Sequence, residues 1–131
     1  MTAAEFNVRW TGRHAVVRMP DEIDVTNSAS MDNVLSKVAA QHPEIITADM
    51  TVTVFCDSSG IHALARAHRV VTSDGGELRL AIGASPARRV LELTGLDQVL
   101  PIYADVEQSL AAPPRSCRPR FCPFIKRGWR W

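Results

Sequence analysis

Apolar and polar positions along the chain predict short strands separated by amphipathic helices. Phe6 to Trp10 and His14 to Met19 are rich in β-branched and aromatic residues, and they flank the turn signal Thr11-Gly12-Arg13. We therefore predict an opening β-hairpin. Apolar residues then recur at helical spacing before Pro43, after a stretch of polar residues able to cap a helix. The helical positions are Met31, Val34, Leu35 and Val38, and the capping stretch is Asp24-Val25-Thr26-Asn27.

The middle of the chain predicts a buried strand followed by a second helix. Glu44 to Cys56 is rich in β-branched residues, and we interpret it as a main strand buried in the sheet, then a short bend and a terminal β-bridge. Asp57-Ser58-Ser59-Gly60 precedes a helical stripe that runs to about Thr72, and Asp74-Gly75-Gly76 ends that helix. The stripe contains Ile61, Leu64, Ala65 and His68.

The last third of the domain repeats the alternation of strand and helix. Glu77 to Ile82 predicts a strand, and Ser85-Pro86 predicts a helix start, because serine caps and proline suits the first helical position. Gly95 fits a left-handed residue after that helix. Val99 to Tyr103 predicts a final strand and Asp105 to Ala111 a final helix. This order requires crossover connections, so we predict an α/β domain with a largely parallel sheet.

Charge divides the chain at Pro113-Pro114. Residues 1–112 contain nine Lys and Arg and fourteen acidic residues, a net charge of −5, whereas residues 113–131 contain six Lys and Arg and no acid. We therefore expect a domain over residues 1–112 that does not itself bind DNA. We expect residues 113–131 to be a disordered basic tail. Its mixture of arginine and aromatic residues is also typical of segments that bind nucleic acid or anionic membranes, and that alternative stays open.

The cysteines and the N-terminus favour a cytoplasmic protein without a metal or cofactor. Cys56, Cys117 and Cys122 are an odd number, with two in the tail, which is unlike a secreted disulfide framework. The tail cysteines supply two of the four ligands of a structural zinc site, so we predict no metal. Met1 to Trp10 lacks the features of a signal peptide, and no stretch approaches the roughly 18 apolar residues of a membrane span.

The junction Asp57-Ser58-Ser59 carries the chemistry that the sequence displays most clearly. The free amides and positive dipole end of a helix N-terminus favour an anion, so a phosphate on a serine here is electrostatically acceptable. The same residue types are common helix caps, and spacing alone leaves both interpretations open. Ser58, His62 and Asp57 also contain the residue types of a hydrolase triad. The Gly-x-Ser-x-Gly elbow is absent, however, and we expect no catalytic residue.

Four separated segments resemble the STAS family, specifically bacterial anti-sigma-factor antagonists. They occur in the order and spacing of that family, and the similarity spans about residues 5 to 111. The segments are Glu22-Ile23-Asp24, Phe55-Cys56-Asp57-Ser58-Ser59-Gly60-Ile61, Gly76-Glu77-Leu78-Arg79-Leu80, and the run from Ser85-Pro86 to Gly95-Leu96.

The resemblance implies a STAS fold, a mixed and mostly parallel sheet with about four flanking helices, and a protein-binding switch in transcription regulation and stress response. Such antagonists, when unphosphorylated, bind an anti-sigma factor that is also a serine kinase, and so release the sigma factor. Phosphorylation of the first serine after the aspartate ends this binding, and a serine phosphatase is a further expected partner. Carried onto this chain, the acceptor is Ser58. The expected partner-binding residues are Asp24, Asp57, Ser59, Gly60 and Ile61.

A second interpretation of the same resemblance is a STAS module without a phosphorylation cycle. Such a module binds other proteins in a stress-signalling scaffold or a lipid-transport complex. Neighbouring genes for a kinase and a serine phosphatase separate the two interpretations.

Overall fold

Seven strands and four helices form residues 6–113, the part of the chain that the structure, a computed structural model, describes. The strands are β1 (Asn7–Thr11), β2 (His14–Arg18), β3 (Glu22–Ile23), β4 (Ile45–Asp49), β5 (Phe55–Cys56), β6 (Glu77–Ala81) and β7 (Ile102–Tyr103). The helices are α1 (Ser28–Ala39), α2 (Ser58–Ser73), α3 (Pro86–Thr94) and α4 (Val106–Ala111).

Five of the strands form a mixed sheet in the order β1-β2-β4-β6-β7. β1 pairs antiparallel with β2, and the other neighbours in this sheet pair parallel. β3 and β5 pair parallel in a separate two-stranded sheet. The predicted hairpin, the α/β class and the mostly parallel sheet with four helices are confirmed.

The hydrophobic core lies between one face of the large sheet and the helices α1 and α2. Alternate residues of a strand point to the same face, and every second residue of the three central strands belongs to this core. The helical residues that meet them follow the predicted stripe in α1. In α2 the prediction is correct for Ile61 and Leu64 but wrong for Ala65 and His68, which are only partly buried, because the buried stripe continues through Ala67 and Val71. The strand positions are Ala15, Val17, Ile46, Ala48, Leu78 and Leu80, and the helical positions are Met31, Leu35, Val38, Leu64, Ala67 and Val71.

The opposite face of the sheet, under α4, holds a buried arginine. Arg79 is fully buried, and its Nε lies 2.7 Å from the Glu77 carboxylate. Its remaining nitrogens donate to the carbonyls of Ser109 and Pro113, and its guanidinium lies 5.3 Å from the centre of the Tyr103 ring. Arg79 therefore ties β6 to α4, through the carbonyl of Ser109, and to Pro113 after that helix.

A buried histidine continues these polar contacts across the sheet. Nε2 of His14 lies 2.7 Å from the Thr47 hydroxyl, which lies 2.8 Å from the hydroxyl of Ser109. Burial, with a smaller contribution from the Arg79 charge, lowers the pKa of His14 to about 4. His14 is therefore neutral near pH 7.

The last strand is shorter than predicted. The prediction of a strand over Val99 to Tyr103 is wrong for its first three residues, because only Ile102–Tyr103 pairs with β6. The chain first forms a 3₁₀ turn over Leu96–Gln98, and the amide of Leu100 donates to the carbonyl of Leu96 at 2.9 Å. Pro101 then has no amide to donate to a neighbouring strand. Gly95, with φ of 81°, is left-handed as predicted.

The end of the segment Glu44 to Cys56 is exposed, contrary to the prediction that the segment is buried. The main strand is buried, but the side chains of Val52, Val54 and Phe55 are 43%, 50% and 47% exposed. The chain leaves the large sheet after Asp49, and β5 joins the two-stranded sheet, which has an outer side. The predicted terminal β-bridge is therefore present at Phe55–Cys56, but in a second sheet.

The predictions for the basic tail and for Cys117 and Cys122 lie outside the described residues. Between residues 6 and 113, no helix has both the length and the apolar character needed to cross a membrane.

Candidate functional site

The two-stranded sheet brings together two turns that lie far apart in the sequence. Glu22 pairs with Phe55, Ile23 pairs with Cys56, and the amide of Asp57 donates to the carbonyl of Ile23 at 3.0 Å. Because the strands are parallel, the segments that follow them emerge at the same edge. Asp24 and Asp57 therefore lie in neighbouring turns.

Asp57 caps the N-terminus of α2 and binds the turn beside it. Its Oδ1 accepts hydrogen bonds from the Ser59 amide at 2.9 Å, the Gly60 amide at 3.3 Å and the Ser59 hydroxyl at 2.5 Å. The Val25 amide also donates to this carboxylate. The Ser59 hydroxyl, aided by the three amides and opposed by burial, holds the pKa of Asp57 below its usual range. Asp57 is therefore a charged cap that joins the two turns.

Asp24 shapes the first of these turns. Its Oδ1 accepts from the Thr26 amide at 2.9 Å and from the Thr26 hydroxyl at 2.5 Å. Its backbone amide donates to Oδ1 of Asn27, whose Nδ2 donates to the carbonyl of Glu22. Asn27 stands at the N-cap position of α1 but makes no capping bond to that helix. The capping stretch predicted from the sequence thus fixes the turn rather than the helix.

Ser58 and Ser59 occupy different environments although they are neighbours. Ser58, the first residue of α2, has an exposed side chain, whereas Ser59 is partly buried and binds Asp57. Ser58 is therefore the accessible hydroxyl of the pair. The remaining predicted site residues point inward, because Gly60 is buried and Ile61 is 7% exposed within the core.

The two-stranded sheet and the turns beside it expose apolar and acidic residues, and we call these residues, together with Ser58, the Ser58 face. Val25 is 73% exposed beside Asp57, and Val54 and Phe55 are about half exposed. The Val54 amide donates to the carbonyl of Asp21 at 2.8 Å, and the strand register places Glu22 opposite Phe55. The Ser58 face consists of Asp21, Glu22, Val25, Val54, Phe55 and Ser58.

The apolar part of the Ser58 face escaped sequence reasoning. Val54 and Phe55 have strand-forming side chains directly before the turn at Asp57, a pattern that also fits a buried strand. Val25 lies in a stretch interpreted as a helix cap. These residues are exposed together because β3 pairs with β5, and the sequence of neither strand indicates that pairing.

The match to known proteins decides the family. The sequence profile of the STAS domain matches residues 5–109. This chain belongs to the STAS domain family.

Relatives of this STAS domain carry a consistent description. An anti-sigma F factor antagonist of Paenibacillus polymyxa is 27% identical over 92 residues, which cover 67% of this chain and 76% of that protein. The anti-sigma-F factor antagonist RsfB of Mycobacterium tuberculosis is 26% identical over 98 residues, covering 73% of this chain and 78% of RsfB. The crystal structure of an anti-sigma factor antagonist from Mycobacterium paratuberculosis is similar with a TM-score of 0.75 and 25% identity, over 80% of this chain and 89% of that one.

Gly60 allows the first turn of α2 to approach the two-stranded sheet. A Cβ atom built on Gly60 lies 2.6 Å from Sγ of Cys56 and 2.7 Å from Cγ2 of Ile23. Both neighbours are buried side chains on β5 and β3, with little room to move. The absence of a side chain at residue 60 therefore sets the position of Ser58 relative to the rest of its face.

We expect Gly60→Ala to lower the free energy of unfolding by about 2 kcal/mol, because the added methyl group overlaps buried atoms. Helix propensity alone acts in the opposite direction by up to about 1 kcal/mol. Gly83→Ala is the matched control, since a Cβ at Gly83 meets no atom within 4 Å. Urea unfolding measures both variants, and equal stabilities for the two contradict the packing role of Gly60.

Cys56 lies directly before the site but is not activated. It is 1% exposed, and burial, followed by the charge of Asp57, raises its pKa to about 12. The thiolate is the reactive form of cysteine, so this thiol is inert near neutral pH. A redox role for Cys56 at this helix terminus therefore finds no support in its surroundings.

The residue types of a hydrolase triad are not assembled into one. The Asp57 carboxylate binds Ser59 and the amides of residues 25, 59 and 60, rather than His62. His62 is exposed on α2, one helical turn after Ser58. Asp57 and His62 therefore do not form the Asp–His pair that would activate Ser58.

Proposed function

We propose that this STAS domain is an anti-sigma-factor antagonist whose binding is switched by phosphorylation of Ser58. The observation that carries the proposal is the exposed hydroxyl of Ser58 within a partly apolar face, beside the fixed charge of Asp57. The relatives described above are antagonists of anti-sigma factors. In the unphosphorylated form, the Ser58 face binds an anti-sigma factor with serine kinase activity in the cytoplasm and releases the sigma factor.

The partner-binding residues fall into two groups. The first group offers polar atoms to the partner and consists of Ser58 and its neighbours Ser59, Asp24 and Asp57. Gly60 and Ile61 act from below the surface, because their burial lets them position α2 rather than reach a second protein. Val25 and Phe55 add exposed apolar area, which supplies the non-polar contacts that protein interfaces require.

Phosphorylation turns this face from a binding surface into a repelling one. A phosphoserine carries about −1.5 to −2 charges and three acceptor oxygens at pH 7. The helix N-terminus accepts this charge, so the fold is retained. Asp57 already occupies the amides of Ser59 and Gly60, and the phosphate therefore stands outward on the face. A serine phosphatase restores the binding form by removing it.

Labelling by an anti-sigma kinase tests the acceptor. We expect incubation with ATP and the cognate anti-sigma factor to place one phosphate on Ser58, as located by tandem mass spectrometry. Ser58→Ala abolishes the label, whereas Ser59→Ala, the matched control for the half-buried neighbour, retains it.

Two results contradict the proposal. The first is a phosphate on Ser59, which would mean that Ser58 is not the acceptor. The second result is that the protein binds an anti-sigma factor but is not labelled by any serine kinase of the host. That result supports the STAS module without a phosphorylation cycle.

A further inference from the structure

The Ser58 face is acidic as well as apolar. Residues 19–36 and 45–65, the two segments that contain all its members, include no Lys or Arg. Asp21 and Glu22 are exposed at its edge, and the Asp57 carboxylate lies beside its centre. The first cation of α2 after Ser58 is Arg66, eight residues further along the helix, and the neighbouring helix α3, which contacts β5, also carries cations. Its Arg88 and Arg89 pair with Glu92 at 3.4 Å and 3.8 Å.

The last eighteen residues of the chain have the complementary chemistry. Residues 114–131 contain six Lys and Arg and no acidic residue, whereas residues 6–113 contain nine Lys and Arg against thirteen acidic residues. The basic residues alternate with large aromatic side chains that match the exposed apolar area of the Ser58 face. These aromatic residues are Phe121, Phe124, Trp129 and Trp131.

The point of attachment lets this segment reach the face. It follows Pro113, whose carbonyl is held by Arg79 at 2.8 Å under α4. Eighteen residues span up to about 60 Å when extended. A domain of this size is about 35 Å across. The segment is therefore long enough to cross the domain from any starting point on its surface.

Because the segment is attached to the domain, even a weak contact between them is substantially populated. A segment attached to the same domain has an effective concentration of about 1 mM, so a contact with a Kd of about 1 mM is half populated. The charges add an attraction between a net positive segment and a net negative domain, and salt screens it. No high-affinity interface is needed for the segment to occupy the face for much of the time.

We propose that residues 114–131 bind the Ser58 face of their own chain and compete there with the protein partner. The segment is then an internal competitor of the anti-sigma factor, and this consequence rests on the proposed function. A phosphate on Ser58 strengthens the contact, because it adds negative charge opposite a basic segment. Phosphorylation thus repels the partner and also favours the competitor.

A spin label in the segment tests the contact in the full chain. Cys117→Ser leaves Cys122 as the labelling site, because Cys56 is buried with its pKa raised to about 12. We expect a nitroxide on Cys122 to broaden the amide signals of Val25, Phe55 and Ser58 at low salt. We expect the signals of Gly12, at the hairpin turn, to keep their intensity. Added NaCl should restore the broadened signals.

Charge reversal on the face supplies the matched comparison. Asp21→Lys with Glu22→Lys should remove the broadening, whereas Asp97→Lys with Glu107→Lys, which changes the net charge equally elsewhere, should leave it. The same broadening in a mixture of unlabelled ¹⁵N chain and spin-labelled ¹⁴N chain identifies a second copy as the occupant and overturns the proposal.

Broadening that is absent, or centred on another surface, also overturns it. Shifts of the tail signals on adding phosphatidylglycerol vesicles or poly(U) RNA then assign the segment to an external anion. The experiment uses unphosphorylated protein and neither an anti-sigma factor nor a kinase, so its outcome does not depend on whether the proposed function is right.

Discussion

Ser58→Asp is expected to weaken binding of the anti-sigma factor by about 100-fold or more, while Ser58→Ala keeps it within a few-fold of the wild type. A coupling free energy of about 3 kcal/mol gives a change of roughly 150-fold. The new carboxylate follows Asp57, whose own carboxylate is charged and committed to the helix amides. A partner that covers the face must then bury a second, unpaired charge, which is costly.

The position of the new charge is what this prediction tests. Ser36→Asp is the matched control, because Ser36 is exposed on α1 and the substitution adds the same charge away from the Ser58 face. We expect its affinity to equal that of the wild type. Isothermal titration calorimetry with the purified anti-sigma factor measures all three variants, and circular dichroism verifies their folds. Equal affinities for Ser58→Asp and Ser36→Asp contradict the switch.

The periodic parts of the fold could be predicted from the sequence because their signals are local. β-Branched residues on both sides of Gly12 predict the hairpin. Ser85 predicts the start of α3, and its hydroxyl accepts a hydrogen bond from the Arg88 amide as a cap. Gly95 marks the end of the same helix through its left-handed backbone. In each of these elements, local propensity and the final fold favour the same structure.

The surface around Ser58 could be predicted only in part. The cap at Asp57 could be predicted from the residue types at the start of α2, whereas Ser58 as the acceptor follows only from the resemblance to the STAS family and stays a prediction. The exposure of Val54 and Phe55 depends on the pairing of β5 with β3, more than thirty residues earlier in the chain. Alternating strand-like residues look the same in a central strand and in a two-stranded sheet with one open side.

Arg79 escaped prediction for a different reason. A charged residue within Glu77-Leu78-Arg79-Leu80 fits a strand with one exposed face, and charged side chains are seldom fully buried unless they are paired. The partners that permit its burial are Glu77 and the carbonyls of Ser109 and Pro113, about thirty residues later. No pattern within β6 indicates them.

Arg79→Ala is expected to lower the free energy of unfolding by about 3 to 5 kcal/mol, the usual loss when one partner of a buried ion pair is removed. The substitution removes a cation 2.7 Å from the largely buried Glu77 carboxylate and the donors to two carbonyls. It also leaves a cavity beside Tyr103. For a domain of this size, 1 kcal/mol corresponds to about 4 °C or more, so the melting temperature should fall by more than 10 °C.

Arg66→Ala separates this effect from the loss of any salt bridge. Arg66 pairs with Asp32 at 3.3 Å between α2 and α1, but both side chains are well exposed to solvent. Exposed pairs contribute about 1 kcal/mol or less, so this variant should stay close to the wild type. Hydrogen exchange localises the difference, since Arg79→Ala should open α4 first, where the Ser109 carbonyl loses its donor. If both variants lose the same small amount, Arg79 does not hold α4 against the sheet.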